Sequence, residues 1–401
     1  MKPDILSRKQ VLGMSVTAGI CVANIYYNQP LLHDIALSLK TSDDAVGSIA
    51  VLAQAGYGLG LFFLTPLGDK VDRKKLIVSL QVCLVAALLG ITFATNLFLI
   101  GAMSLAIGVL AVAAQVILPM AASLSGNNKG RNVGIIFTGI LIGILAARVF
   151  SGYIADWFSW RYVYGIAAAM VTVAAVSMYF MLPNQPAKFK GSYGQLLSTT
   201  FYQLKRFPQL RQTALLGALI FGVFCSFWTT LTFHVSGAPF YYGTDIIGLF
   251  GLLAIAGALM APAFGKKADG VLPERSQLIT VSMIVVAAAI LFIFPTNVWA
   301  LIIAVLLLDV GVQATQVTNI AMIYMLDEQA HSRINTIYMT SYFIGGATGS
   351  LVGILCWKAG GWQLVSIQFC VWALLAFVIA WIRYKQAKQQ LVLQPQEIVT
   401  K

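Results

Sequence analysis

Apolar residues in this chain come in unbroken runs of about 20, parted by short polar segments, without the alternation of a half-buried strand. At 1.5 Å of rise per residue, such runs match the ~30 Å hydrocarbon thickness of a bilayer. They predict spanning helices at 11–32, 46–67, 76–94, 98–124, 133–155, 162–182, 213–235, 246–265, 276–295, 298–325, 335–356 and 363–383. Only helices and closed barrels satisfy their backbone in lipid, and a barrel needs alternating strands. The expected fold class is therefore an all-α membrane protein of twelve transmembrane helices.

Charge placement tests that map. Of the 26 Lys and Arg, 22 fall in the tails and the alternate loops that share the N-terminal side of the membrane. The opposite loops hold only Lys40, Arg161 and Lys358, and Arg148 lies inside a span. Basic residues mark the cytoplasmic side, and a missed span would scramble every later loop. Both termini are thus expected in the cytoplasm.

Composition agrees. The chain has 401 residues, 59% of them hydrophobic and 10% charged, with mean hydropathy +0.83. A soluble domain carries about 25% charged residues, so lipid is the natural solvent here. The net charge of +12 could suit nucleic acid, but it is dispersed among short loops and not gathered on an aromatic-laced face, which argues against that partner. Cys21, Cys83, Cys225, Cys356 and Cys370 lie in apolar stretches with no Cys-x-x-Cys pair, as small buried hydrophobes do. The first apolar run lacks a small-residue cleavage site and reads as a retained span.

The longest interruption, 183–212, opens with Leu182-Pro183-Asn184-Gln185-Pro186, a helix stop, and carries five basic residues. Six spans precede it and six follow. The predicted organisation is a six-helix bundle over 1–182, a cytoplasmic linker over 183–212, a second bundle over 213–385 and a cytoplasmic tail over 386–401. A shift of 202 residues places Arg131 on Arg333, Gly143 on Gly345, Trp160 on Trp362 and Val163 on Val365. Parallel repeats of this kind point to pseudo-symmetric halves with a substrate site at mid-membrane between them.

The sharpest local pattern is Pro66-Leu67-Gly68-Asp69-Lys70-Val71-Asp72-Arg73-Lys74-Lys75, between the second and third spans. It resembles the signature G-x-L-a-D-R-x-G-R-R of the major facilitator superfamily. Asp69 matches the acidic position, Lys70 the first basic one, and Arg73 and Lys74 the later pair. Thr65 and Asp72 stand where the two glycines would be. A degenerate second copy runs Gly265-Lys266-Lys267-Ala268-Asp269-Gly270. A carboxylate at a helix end can accept charge-assisted bonds from neighbouring termini or Arg, which makes Asp69, Arg73, Lys74 and Asp269 the expected conformational latch.

The fifth span is similar to that of bacterial drug- and sugar-efflux members, which often reads G-(x8)-G-(x3)-G-P-x-x-G-G. Gly130, Gly139 and Gly143 keep the spacing. Ile144 replaces the Pro, Ala147-Arg148 the last Gly pair, and Ser104 the basic residue expected four positions before Gly108. The resemblance implies a monomer in the bacterial inner (plasma) membrane that exports small organic molecules against protons.

Ionisable residues at membrane depth are costly and mark function. Arg148 and Asp309 qualify. Arg148 would bind an anionic group or set a cavity potential, and Asp309 would take up and release a proton. Asn24, Tyr27 and Asn28 crowd the end of the first span ahead of Pro30, a source of kinking. Asp309, Gln313, Gln316 and Asn319 recur every three to four residues and share a helix face. Gln54, Tyr57, Gln115 and Trp228 complete the expected substrate wall, with His234 as a second proton-coupling candidate.

No His-Glu-x-x-His, Gly-x-Ser-x-Gly or Walker loop occurs. The reading is a non-enzymatic secondary transporter without cofactor or metal, partnered by a small-molecule substrate, protons and the bilayer. Proton-coupled uptake of an organic anion and a transport-like membrane sensor remain alternatives.

Overall fold

The computed structural model describes residues 6–393 apart from 187, 188, 190, 254–271, 328 and 329. Every regular element among them is helical. The chain runs through α1 (Arg8–Ala23), α2 (Asn28–Leu39), α3 (Asp43–Phe63), the single turn α4 (Leu67–Lys70), α5 (Arg73–Thr92), α6 (Leu97–Leu110) and α7 (Ala113–Leu124). Then come α8 (Lys129–Trp157), α9 (Trp160–Met181), α10 (Tyr193–Arg206), α11 (Pro208–Ser236) and the short apolar helix α12 (Thr244–Leu253). After the undescribed stretch follow α13 (Pro273–Ile293), α14 (Val298–Tyr324) and α15 (His331–Leu393).

Helix ends fall where local chemistry puts them. Ser7 opens α1 with a capping box: its hydroxyl accepts from the Gln10 amide at 3.3 Å while the Gln10 side chain accepts from the Ser7 amide at 2.8 Å. Asp72, Asn96 and Asn297 cap α5, α6 and α14 through their side-chain oxygens.

Nine segments among the described residues are long and apolar enough to cross a bilayer. Three features relate that number to the twelve expected spans. The first span is broken into α1 and α2 at residues 24–27. Most of the 246–265 span lies outside the described residues. The last two spans, together α15, follow one another without a loop and are parted by a kink at Gly360 and Gly361, whose dihedrals are non-helical, with φ +57° at Gly361. A left-handed φ at that point is one a glycine adopts without a Cβ penalty.

The chain divides into two compact units: residues 1–202 with 228–252, and residues 203–227 with 253–401. In the first, α1 packs on α8, α3 on α6 and α5 on α9. In the second, α13 packs on both α14 and α15. Each unit has a crossing that admits only glycine. A Cβ on Gly143 of α8 would strike the backbone of Gly19 in α1, and one on Gly345 of α15 would strike the backbone of Ala218 in α11. Small residues four apart allow such close approach. The residue pair matched by the 202-residue repeat therefore does the same work in each unit.

Candidate functional site

In the first unit, Arg148 is buried in the second half of α8, at 1% exposure. Its Nε donates to the Gln29 side-chain oxygen at 2.7 Å. Its guanidinium lies 4.0 Å from the Trp228 ring centre and 5.4 Å from that of Tyr26. The Gln29 carbonyl in turn accepts from the Thr232 hydroxyl at 2.7 Å. Gly248 and Gly251 of α12 let the backbone come close to Arg148. The gap bounded by Gln29, Pro30, Arg148, Trp228, Thr232 and Ile247 is too small for a water. A cation over aromatic faces gains about 2 kcal/mol when desolvated, which lets the span carry this charge.

The other expected residues of this unit occupy separate places. Asn24 turns its amide onto the Ile20 and Cys21 carbonyls, at 2.7 and 3.2 Å, where α1 ends. Asn28 donates to the Ile25 carbonyl at 3.1 Å. Gln115 donates to the Tyr57 hydroxyl at 3.2 Å, joining α7 to α3, and Gln54 is buried on the same α3. His234, near the end of α11, packs edge-on to Phe240 with 5.5 Å between ring centres. Tyr27 lies tilted against Phe150, with 5.8 Å between ring centres, and borders an apolar groove of about 500 Å³ between α1 and α8.

In the second unit, Asp309 and Asn319 are fully buried in α14. Asn319 accepts from the Gln277 amide of α13 at 2.5 Å and donates to the Tyr338 hydroxyl of α15 at 3.2 Å. The Thr280 and Thr315 hydroxyls meet at 2.7 Å along the same α13–α14 seam. Gln316 and Gln313 are half-exposed. Gln316 accepts from the Tyr342 hydroxyl at 3.4 Å, and the Tyr342 ring stacks on Phe221 at 3.9 Å. The expected stripe is thus shared between a buried seam, with Asp309 and Asn319, and an accessible edge, with Gln313 and Gln316.

At the signature segment, Asp69 pairs with Arg73 at 2.7 Å. Arg73 also donates to the Gly68 and Pro119 carbonyls, at 2.9 and 3.0 Å. Lys74 points elsewhere, 5.1 Å from the Tyr179 ring centre. Asp269 lies outside the described residues. Asp72, standing at a glycine position of the motif, caps α5 and accepts from the Gln185 amide at 2.9 Å, so the start of the 183–212 segment is bonded to the signature loop.

Asp72, Gln277 and Tyr338 are not among the site residues expected from sequence, and Gln29 is expected only as a member of the polar cluster before Pro30. Gln277 had a usable signal, an amide inside an apolar run. Gln29 had one too, since it adjoins Pro30 in a polar cluster. Asp72 was masked by the motif position it fills.

The family model described as Major Facilitator Superfamily matches residues 14–333 and 272–398. The chain is 37% identical to an Escherichia coli protein named "Putative uncharacterized transporter YgaY" over 377 residues, 94% of this chain and 96% of that one. It is 24% identical over 385 residues to a Helicobacter pylori protein named "Probable sugar efflux transporter", covering 94% of each. Among solved structures, a variant of the nucleoside transporter NupG superposes with TM-score 0.74 at 12% identity, covering 94% of this chain and 99% of that one. The POT family transporter PepTSo gives 0.71 at 12% identity, covering 96% and 99%. At that identity the structural likeness concerns the fold.

Proposed function

We propose that this chain, which belongs to the Major Facilitator Superfamily and so to a family of membrane transporters and not of enzymes, exports small organic molecules by proton-coupled alternating access. The observation that carries the coupling is Asp309, a carboxylate with no exposed surface inside an apolar helix. An ionisable group is expensive at that depth, and binding and releasing a proton as access alternates gives it a use. Efflux is supported by the glycine spacing of the fifth span and by the name of the Helicobacter relative.

In this reading Arg148 sets a positive potential on the substrate path, and Trp228 and Gln29 hold it. Asn24, Tyr27, Asn28, Gln54, Tyr57, Gln115, Gln313, Gln316 and Asn319 are the further candidates for contact with substrate, and His234 for proton transfer. Asp69 with Arg73 forms the latch that favours one access state, and Lys74 and Asp269 are further candidates for it. The halves are residues 1–182 and 213–385, joined by the linker 183–212. The protein works as a monomer in the inner membrane, with both termini in the cytoplasm. A buried guanidinium also favours a second reading, uptake of an organic anion with protons.

Purified protein in liposomes under an imposed pH gradient decides between them, with sugars, organic anions and cationic drugs as probes. Export predicts that the gradient drives one probe class opposite to proton flow. Asp309→Asn should keep exchange of that probe while losing the response to the gradient. Wild-type coupling in a correctly inserted Asp309→Asn protein would remove the carboxylate from the mechanism. Movement of anions with protons, lost in Arg148→Ala, would establish the second reading.

A further inference from the structure

We propose that the groove between α1 and α8 holds one acyl chain of an anionic phospholipid, with Arg8, Lys9 and Arg131 gripping its headgroup phosphate. The groove has a volume of about 500 Å³, and the described residues that line it all belong to the first unit. Its walls are apolar and open to the surroundings: Leu12 is 49% exposed, Val16 60% and Ile142 60%. The hydroxyls along it are already spent inside the protein. Ser15 donates to the Ile135 carbonyl at 2.8 Å, and Thr138 to the Gly134 carbonyl at 3.0 Å. A polar solute would find little to bond there, whereas a hydrocarbon chain needs nothing more than contact.

The two ends of the groove differ. At one end Tyr27 and Phe150 close it, with ring centres 5.8 Å apart. From Leu12 to Tyr27 the walls run for about 22 Å at the helical rise, which exceeds the half-thickness of a ~30 Å hydrocarbon core. At the other end stand the cations. Arg8 lies four residues before Leu12 on α1, and Arg131 lies four before Ile135 on α8, so each sits on the groove-lining face of its helix one turn beyond the last apolar wall. Lys9 is three before Leu12 and shares that face. All three are exposed, and none pairs with a carboxylate among the described residues. An apolar slot with three unneutralised cations at its mouth is complementary to an amphiphile with a negative head.

The test is retention of lipid by the whole protein. Detergent-purified protein is exposed to equimolar phosphatidylglycerol and phosphatidylcholine, and bound lipid is counted by native mass spectrometry. One phosphatidylglycerol should be retained in preference to phosphatidylcholine. Removing the cations together, Arg8→Gln, Lys9→Gln and Arg131→Gln, should abolish that preference, and Arg131→Gln alone should weaken it about fivefold. Filling the slot with Val16→Trp and Ile142→Trp should reduce both lipids. The control Lys75→Gln, Lys385→Gln, Lys388→Gln removes the same charge from other exposed positions and should retain phosphatidylglycerol. Equal retention of the two lipids by the wild type, or equal losses in the control and the groove variants, would overturn the site. Neither outcome bears on proton coupling.

Discussion

At the scale of single residues, charge is placed by what surrounds it. His33, just past the predicted end of the first span, sits 3.1 Å from the Asp43 carboxylate. That hydrogen bond raises the pKa of His33 above its ordinary value, against the opposing effect of partial burial and with further help from the charges of Asp43 and Asp34. A raised value in the folded state means that the pair's stabilisation is complete below the unfolded value of about 6.5 and fades as pH climbs through the native one. An NMR titration of the imidazole should find His33 ionising above that reference, and Asp43→Asn should lower its pKa. A His33 titration indifferent to Asp43→Asn would refute the assignment. Arg148 and Asp309 could be recognised from sequence alone because ionisable groups are rare in apolar runs. Their surroundings could not. Gln29 lies 119 positions from Arg148 in sequence, and nothing local announces that the two meet. Asn24 shows the converse, a polar side chain whose amide is occupied by its own helix end.

At the scale of elements, tight glycine crossings, Gly143 and Gly345 among them, help to fix how helices lie within each unit. Because a methyl at Gly143 or Gly345 would meet backbone and not the end of a flexible side chain, the helices themselves must part to admit it. Overpacking of this sort costs about 1–3 kcal/mol. Gly143→Ala and Gly345→Ala should each lower the midpoint of thermal unfolding in detergent, followed by tryptophan fluorescence, by several degrees. Gly130→Ala, where nothing lies within 4 Å of the added methyl, should leave it unchanged. Equal shifts in all three would mean that helix propensity and not the crossing governs. This feature was legible in advance, since Gly143 and Gly345 coincide under the repeat. The break in the first span was half legible. Pro30 marks the region, but the helix opens earlier, at 24–27, and Pro30 settles in the first turn of α2, where its missing amide hydrogen costs nothing. The kink that parts the last two spans, at Gly360-Gly361, falls between the predicted spans 335–356 and 363–383.

At the scale of the molecule, the distribution of charge argues for one orientation in the bilayer. The predicted map puts twenty-two basic residues on one side and three on the other, which argues against an inverted insertion, since turning the chain over would carry the linker's five cations and the signature loop's four across the bilayer. Each strongly opposes translocation when it adjoins a span. Single cysteines in a background without the five natural ones test the result. Ser192 and Gln386 lie on the side assigned to the cytoplasm, Ser42 and Thr296 on the other, and all four are exposed. In intact cells a membrane-impermeant maleimide should label Ser42→Cys and Thr296→Cys, and should reach Ser192→Cys and Gln386→Cys only after permeabilisation. Labelling of Ser192→Cys from outside would invert the map. It would also place Asp69 and Arg73 on the external face, where a latch would respond to the medium and not to the cell interior, so the direction of proton coupling would have to be argued again from Asp309 alone.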